Sequence, residues 1–349
     1  MRVLILYNAP SLAADAPDAA SEVGVLESVE AFTQALKRAG HTLSTLALAD
    51  ELDPLVQLAR GTERPEVVVN FCESFAGEPD LEPHLAAALD LLKLPYTGAP
   101  AETLWSTHDK ARAKFLLAAA GLPAAAGWKI LAAGPAPSSD EVSQQCGTGP
   151  LGPGPWFVKP AAQDASLGIG HDSVVTDRSK LLDQIEQVRK RFGDVLVEPY
   201  LAGREFNVSV IDCFERQKSG TPRVLPLAEV NFARGGANEW PIVTYDAKWS
   251  PESRDWNSTP VTCPADVDEP LAQRLRTYAR GAFCELGCRD YARVDFRVDA
   301  DGNPWILEVN ANPDLSPSAG FARSLLAGGI QYDEFACRLV EAAKARAVR

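Results

Sequence analysis

Short apolar strands alternate with amphipathic segments through the first hundred residues. Arg2–Tyr7 is a continuous apolar run, which is typical of a strand buried on both faces of a parallel sheet. Gly40 is a natural stop for the helical pattern that precedes it. The further predicted strands are Thr42–Leu48 and Glu66–Phe71, and the predicted helices are Glu22–Ala39 and Leu81–Leu92. This alternation predicts a small doubly wound α/β domain over residues 1–98.

Length and charge restrict the remaining possibilities. A chain of 349 residues exceeds what one core ordinarily fills and predicts two or three lobes. Its net charge of −13 argues against nucleic acid or an anionic membrane as the main partner, because phosphate binding needs clustered Lys and Arg. No apolar run is long enough to span a membrane. The seven cysteines lack metal-ligand spacing, which predicts free thiols and a reducing, cytoplasmic location.

Two stretches of the second part of the chain have loop composition. Ala133–Pro155 is rich in Pro, Gly and Ser and predicts a surface loop or mobile connection. Arg234–Pro264 has few periodic signals, and its length predicts a functional loop or lid. The predicted helices around them are Asp109–Ala120, Ser179–Phe192, Glu269–Leu286 and Asp333–Arg346. The predicted strands are Trp156–Lys159, Val195–Val197, Glu205–Asp212 and Arg223–Val230.

Two apolar strands near the C-terminus contain acidic residues. Tyr291–Val298 and Pro304–Val309 are joined by a turn at Asp299–Gly302, which predicts a hairpin. Asp295 lies in the first strand. Glu308 and Asn310 lie two residues apart on the second, so we expect them to point to the same face. Two carboxylates and an amide oxygen suit a hard cation such as Mg²⁺ that takes its other ligands from nucleotide phosphates, with Mn²⁺ as the alternative.

Three lysines are candidates for binding those phosphates. Lys159 leaves a strand into a loop of small residues, whose backbone N–H groups supply further donors. Lys110 begins a helix, and Lys248 lies in the predicted lid. The strand VLVEPYLAG runs into a Pro-containing connector of the kind that presents backbone groups to an adenine edge, and Glu205 after it is a candidate for a ribose hydroxyl.

These pieces resemble the ATP-grasp superfamily, and within it the D-alanine–D-alanine ligases. The resemblance covers roughly residues 65 to 345. The stretches that carry it are LPYTGAPAETLWSTHDKARAKFLLAAAGLP, WFVKPAAQDASLGIG, VLVEPYLAGREFNVSV, TYDAKW and ARVDFRVDADGNPWILEVNANPDLSPSAG. It implies an ATP-grasp fold of α/β and α+β type with an N-terminal Rossmann-like domain at 1–98 and ATP-grasp subdomains at 99–195 and 196–349.

The resemblance also implies roles for individual residues. Phosphate-binding lysines are then Lys110, Lys159 and Lys248, of which Lys248 closes with the lid. The adenine hinge comprises Glu198, Tyr200 and Leu201, and Glu205 binds the ribose. Asp295, Glu308 and Asn310 are the Mg²⁺ ligands. Catalytic residues are Arg293, which steadies an acyl phosphate, together with Ser166 and Lys248. The implied reaction is phosphorylation of a carboxylate by ATP followed by attack of an amine, with amino acids as the small-molecule substrates.

Four departures from the family pattern lie where amino acids are bound. Ala165 replaces the first of two adjacent serines, Trp249 replaces a Tyr after the lid lysine, Asp314 stands at a Gly position, and Asn70–Glu73 replaces a His-Gly motif. A retained nucleotide set with altered recognition predicts a different amino acid or amine. Candidate substrate-binding residues are Glu22, Glu73, Trp249 and Asp314.

Two other functions fit the same residues. One is an ATP-dependent phosphotransferase, which needs no amine. The other is a nucleotide-binding regulatory protein without turnover, against which the retained cluster of like-charged carboxylates argues. A homodimer is expected from the resemblance alone.

Overall fold

The computed structural model describes residues 1–11, 19, 23–214, 220–232 and 240–346. Within these residues the strands are β1 (Arg2–Asn8), β2 (Thr42–Leu48), β3 (Val67–Asn70), β4 (Trp128–Ile130), β5 (Trp156–Pro160), β6 (Val174–Val175), β7 (Val195–Pro199), β8 (Arg204–Ile211), β9 (Arg223–Val224), β10 (Ala228–Val230), β11 (Val261–Thr262), β12 (Tyr291–Val298) and β13 (Pro304–Asn310). The helices are α1 (Val25–Arg38), α2 (Asp53–Arg60), α3 (Glu82–Leu91), α4 (Ala101–His108), α5 (Lys110–Ala119), α6 (Ser139–Gly147), α7 (Arg178–Phe192), α8 (Tyr245–Trp249), α9 (Arg254–Ser258), α10 (Glu269–Glu285), α11 (Gly320–Ala327) and α12 (Tyr332–Arg346).

The N-terminal sheet has the strand order β2-β1-β3, and both pairings are parallel. Alternate side chains of β1 enter two cores, as the period of a strand requires. Val3 and Ile5 pack with α1 and α12, whereas Leu4 and Leu6 pack with α2 and α3. This is the doubly wound arrangement that the sequence predicts. One of its covering helices, α12, comes from the C-terminal end of the chain.

The central sheet is antiparallel, with the order β4-β7-β5-β6, and α6 and α7 pack on it. The prediction that Ala133–Pro155 is only a loop was wrong, since α6 lies inside it. The Ser138 side chain accepts a hydrogen bond from the Glu141 backbone, and the Glu141 carboxylate accepts one from the Ser138 backbone. This capping box starts a helix within a stretch whose overall composition is typical of loops.

The third sheet has the order β11-β10-β8-β12-β13, with β9 paired to β8. Its hairpin β12–β13 was predicted, and a register shift after Asp295 places Asp295 opposite Glu308. The predicted lid stretch contains α8, α9 and β11 in its described part, while residues 233–239 lie outside the described residues. The central and third sheets face each other across a cleft.

The domain boundaries at 98 and 195 stay predictions. Strand β7, which begins at the second boundary, pairs with β4 and β5 of the central sheet. The chain segment between α5 and β4 also touches the third sheet, because the Ile306 N–H donates to the Pro123 carbonyl at 2.7 Å.

Candidate active site

A cleft of about 1020 Å³ lies between the central and third sheets and extends to the loops that end the N-terminal strands. All predicted site residues among the described residues line it, except Lys110, which is buried directly behind it at 4% exposure. Glu22 lies outside the described residues. The cleft has a cationic end near the hairpin β12–β13 and an acidic end near β3 and α3.

Lys110 is held against acidic and carbonyl oxygens at the start of α5. Its Nζ donates to the Asp164 carboxylate at 3.0 Å and lies 3.6 Å from Glu308 Oε2. Burial lowers the pKa of Lys110, but the charges of Asp164 and Glu308 outweigh burial and raise it above its ordinary value. Lys110 therefore stays protonated and provides a fixed positive charge beside Glu308.

Glu198 on β7 binds two lysines at the floor of the cleft. Its Oε1 lies 2.7 Å from Lys114 Nζ and its Oε2 lies 2.7 Å from Lys159 Nζ. All three side chains are buried. Burial raises the pKa of Glu198, yet the two ammonium groups hold it below its ordinary value. The carboxylate thus fixes both lysines, and Lys159 enters the cleft from the end of β5.

Lys114 was missed by the sequence reasoning. It lies one helical turn after Lys110 on α5, so the two lysines share a face of the helix, and this spacing is the signal that identifies it. Its Nζ also donates to the Ile306 carbonyl on β13 at 3.1 Å. Burial and the nearby Lys159 lower the pKa of Lys114. Lys114 joins the central sheet to the third sheet beneath the cleft.

The floor of the cleft is the predicted nucleotide site, so we expect Lys114→Met to raise the KM for ATP about tenfold and to change kcat by less than about threefold. The change removes one hydrogen-bonded charge and leaves Glu198 with Lys159 alone. Steady-state kinetics of Lys114→Met and Lys114→Arg measure this, with exposed Lys190→Met on α7 as the matched control. A fall in kcat with an unchanged KM would contradict it.

The connector after β7 and the start of β8 form the other wall. Glu205 is buried and pairs with Arg297 on β12 at 2.9 Å. Burial raises the pKa of Glu205 and Arg297 lowers it, with a net rise. The Tyr200 hydroxyl donates to the Pro241 carbonyl at 3.4 Å. The backbone N–H of Leu201 has no hydrogen-bond partner among the described residues, so it is available to a ligand.

Asp295, Glu308 and Asn310 meet on one face of the hairpin. Asn310 Nδ2 lies 3.1 Å from Asp295 Oδ2 and 3.3 Å from Glu308 Oε1. Arg293 donates twice to Asp295, from Nε and Nη2, both at 2.8 Å. Asn207 on β8 donates to Asp295 Oδ1 at 2.8 Å. The same-face prediction for Glu308 and Asn310 agrees with this geometry.

The Glu308 carboxylate lies within the field of several cations. Burial raises its pKa, but Lys110, Lys248, Lys159 and Arg293 together hold it well below the ordinary value. Burial, followed by the charge of Arg293, lowers the pKa of Lys248, and no hydrogen bond or ion pair joins its ammonium group to another described residue. The cationic end thus has more positive charge than its carboxylates neutralise, which suits a polyanion.

The helix α8 carries Lys248 and closes against the loop after β5. Trp249 Nε1 donates to the Ala165 carbonyl at 2.9 Å, and the Tyr245 N–H donates to the Ile169 carbonyl at 3.0 Å. Ser166 follows in a left-handed backbone conformation, with φ of 60°. Trp249, predicted as a substrate residue, therefore contacts the loop that carries Ser166 and covers the cleft.

Three carboxylates line the acidic end of the cleft: Glu73 after β3, Glu82 in the first turn of α3, and Asp314 after β13. Burial raises the pKa of Glu82 to about 8, against a hydrogen bond from Asn312 that lowers it. Desolvation by the surrounding protein, followed by the charges of Glu82 and Asp314, raises the pKa of Glu73 to about 8. Because Glu73 still contacts the solvent of the cleft, the larger cost of ionisation falls on Glu82.

The raised pKa of Glu82 predicts a pH-dependent stability. Above pH 4.5 the unfolded chain releases a proton that the folded protein keeps, so folding loses free energy as the pH rises towards 8. At pH 8 we expect Glu82→Gln to be about 2 kcal/mol more stable than the wild type. This is less than half of the stabilisation that the whole pKa difference would give at 1.36 kcal/mol per pKa unit. Below pH 4.5 we expect the two proteins to be equally stable. Urea unfolding at both pH values measures the difference, and an equal difference at both would contradict the prediction.

The fold and the cleft define the ATP-grasp class, and solved structures share the fold along the whole chain. A D-alanine–D-alanine ligase from Bacillus anthracis complexed with ATP matches with a TM-score of 0.74 at 19% identity, covering 100% of this chain and 99% of that one. D-alanyl-alanine synthetase A from Vibrio cholerae matches with a TM-score of 0.76 at 21% identity, covering 100% and 98%.

Sequence comparison identifies the family. Residues 116–341 match the family model described as the D-Ala D-Ala ligase C-terminus. A D-alanine–D-alanine ligase of Actinobacillus pleuropneumoniae serotype 5b is 29% identical over 317 residues, which are 90% of this chain and 92% of that protein. The uncharacterised protein y4sG of Sinorhizobium fredii is 30% identical over 305 residues, 87% of this chain and 80% of that protein. The chain belongs to the D-alanine–D-alanine ligase family of ATP-dependent carbon–nitrogen ligases.

The predictions of family, fold class and ligase class are thereby confirmed. The residue roles stay predictions, as do the cytoplasmic location, the homodimer and the absence of nucleic-acid and membrane partners. In the described part of the chain, no helix combines the length and apolar character needed to cross a membrane.

Proposed function

We propose that this protein uses ATP and Mg²⁺ to activate a carboxylate and join it to an amine, with at least one substrate different from D-alanine. The observation that carries the proposal is the cationic end of the cleft, where Lys110 lies 3.6 Å from Glu308 and where Lys159, Lys248 and Arg293 line the same cleft. Such a cluster binds a polyphosphate and stabilises the negative charge that develops during phosphoryl transfer.

The nucleotide lies between the central and third sheets in this proposal. The free N–H of Leu201 and the Glu198–Tyr200 connector face the adenine, and Glu205, held by Arg297, accepts from the ribose. Lys159 reaches the phosphates from the end of β5, and Lys114 keeps Glu198 in place while it does so. A buried carboxylate with two cations is a rigid anchor, because removing either partner leaves charge unpaired.

The residues of the hairpin fit a divalent cation. Asp295 and Glu308 offer carboxylate oxygens, and a half-turn of the Asn310 amide would direct its oxygen to the same point. The described residues hold no group of three or more His, Cys, Asp or Glu side chains suited to a metal. Two carboxylates and one amide oxygen would suit Mg²⁺, which usually keeps several waters and binds substrate phosphates. Mn²⁺ has the same preference for oxygen. An ion held by Asp295, Glu308 and Asn310 would neutralise part of the phosphate charge.

The remaining chemistry belongs to the protein side chains. Arg293, fixed by its double bond to Asp295, lies where an acyl phosphate and the tetrahedral adduct of the amine carry negative charge. Ser166 and the loop around it are covered by α8, so Lys248 and Trp249 close the cleft and exclude water that would hydrolyse the acyl phosphate.

The altered residues support a changed substrate. Ala165, Trp249, Asp314 and the segment Asn70–Glu73 all lie at the lid or at the acidic end, away from the nucleotide floor. An amino acid or amine is the substrate class, and the change in this half of the cleft favours a partner other than D-alanine.

Phosphate release from ATP and Mg²⁺ across D- and L-amino acids and amines, singly and in pairs, with products identified by mass, tests the proposal. Release that needs a pair and yields a condensed product is the expected result. Release with one carboxylate and no condensed product would favour the phosphotransferase. ATP binding without release in any combination would favour the regulatory protein.

A further inference from the structure

The carboxylates at the acidic end of the cleft have no ion-pair partners in the part of the chain that the structure describes. No described Lys or Arg forms an ion pair with Glu73, Glu82 or Asp314. In contrast, the carboxylates at the nucleotide end each face a cation within 4 Å: Glu198, Glu205, Asp295 and Glu308. The carboxylates at the nucleotide end therefore have ion-pair partners within the protein, whereas those at the acidic end have none among the described residues.

Of the three carboxylates, Glu82 is the one whose burial is least accounted for by contacts within the protein. It is 8% exposed, and one carboxylate oxygen accepts a hydrogen bond from Asn312 Nδ2 at 2.9 Å. Its other oxygen has no partner among the described residues, although the side chain lines the cleft. A position in the first turn of α3 favours a carboxylate, but that effect needs no burial. A buried carboxylate with a free oxygen costs folding free energy unless a ligand pairs with it.

The arrangement around Glu82 is fixed from two sides. Asn312 also donates to the Cys72 carbonyl at 3.1 Å, so the segment after β13 is tied to the segment after β3. The Glu73 N–H donates to Asn8 Oδ1 at 3.0 Å, and Asp314 accepts from the Ser316 N–H at 2.8 Å. The three carboxylates therefore converge from three separate chain segments that hydrogen bonds hold in place.

Arg293 and the three carboxylates line the same cleft. The charge of Asp314 reaches Arg293, whose pKa it helps to raise, and the charges of Glu82 and Asp314 reach Glu73. Because Arg293 and the three carboxylates line one cleft, a substrate that reacts beside Arg293 and extends along the cleft would approach them. They disfavour the α-carboxylate of a plain amino acid and favour a cation.

We propose that Glu73, Glu82 and Asp314 bind a second ammonium group of the amine substrate, which is an aliphatic diamine or a dibasic amino acid. This rests on the proposed ligase function. The reacting amine must lose its proton before it attacks, whereas a carboxylate cluster stabilises the protonated form, so the group held here is not the one that reacts. The substrate then spans the cleft, with one amine at Arg293 and the other at Glu82.

The test compares amines of equal length, with an activating carboxylate found in the phosphate-release panel. We expect 1,5-diaminopentane or lysine to be used with a KM at least tenfold below that of 1-aminopentane. Glu82→Gln keeps the Asn312 hydrogen bond and is expected to raise the diamine KM at least tenfold, with the monoamine KM and the ATP KM within about twofold. Asp314→Asn is a second variant that tests the same charge outside α3, and exposed Glu285→Gln on α10 is the matched control.

A binding measurement separates recognition from folding effects. Calorimetry at pH 7 in two buffers of different ionisation enthalpy is expected to show proton release when 1,5-diaminopentane binds the wild type, and less release with Glu82→Gln. Preference for the diamine over lysine, or the reverse, distinguishes the two substrate sources. Equal KM values for the monoamine and the dibasic amines, or an equal loss with all amines in Glu82→Gln, would overturn the proposal while condensation continues. Absence of any condensation would instead overturn the ligase function.

Discussion

Replacement of Glu308 by Gln is expected to lower kcat/KM for amine-dependent phosphate release by about 10³-fold or more. Glu308 is the carboxylate on which Lys110, Lys248, Lys159 and Arg293 all act, and with Asp295 it forms the proposed cation site. Its loss removes a hard ligand and leaves four cations with less counter-charge, so several kcal/mol of transition-state stabilisation disappear, at about 1.4 kcal/mol per tenfold.

The measurement is steady-state kinetics over a range of Mg²⁺ and Mn²⁺ concentrations. A partial recovery at high metal concentration identifies a lost metal ligand, because weaker binding is then offset by mass action. Glu285→Gln on α10 makes the same chemical change at an exposed position and is expected to keep wild-type activity. A Glu308→Gln enzyme with normal activity and normal metal dependence would remove this hairpin from the proposed mechanism.

The second large effect is expected for Arg293→Ala, which should reduce kcat about 10²- to 10³-fold with little change in the KM for ATP. In the proposed mechanism Arg293 stabilises the acyl phosphate and the tetrahedral adduct, and a fixed donor to a developing oxyanion contributes mainly in the transition state. Arg293→Lys is expected to recover little, because a single ammonium group cannot bond both Asp295 oxygens at 2.8 Å and also reach the substrate.

Replacing Arg293 also removes the bidentate partner of Asp295, which could change metal and nucleotide binding. A direct measurement of ATP and Mg²⁺ affinity by calorimetry accompanies the kinetics. Unchanged nucleotide affinity with a reduced kcat assigns the loss to the chemical step. A tenfold weaker affinity with kcat preserved would instead show that Arg293 acts only by orienting Asp295.

Sequence spacing predicted the parts of the site that lie within single elements. Glu308 and Asn310 share a face because side chains alternate along a strand, and this holds wherever the strand packs. Lys159 at the end of a strand and Lys248 in the lid were singled out by the local chain around them. The turn Asp299–Gly302 specified the hairpin by its own composition.

Other residues act through partners that are remote in the chain, and their environment was not predictable from local pattern. Lys114 is an ordinary lysine in a helix until β7 brings Glu198 to it. Arg297 gains its role from Glu205, and Glu82 gains its one hydrogen-bond donor from Asn312 after β13. Burial, which decides the pKa of each group, depends on the packing of whole sheets.

The amino-acid sequence by itself predicted the alternating strands and helices from periodicity, and the class of reaction from the resemblance of its motifs to those of the D-alanine–D-alanine ligases. The tertiary structure alone decided that the C-terminal helix α12 covers the N-terminal sheet and that Lys114 joins two sheets. It also decided that Glu73, Glu82 and Asp314, which form no ion pair with a described Lys or Arg, line one end of the cleft. Such contacts are set by long-range packing, which no local pattern in the chain contains.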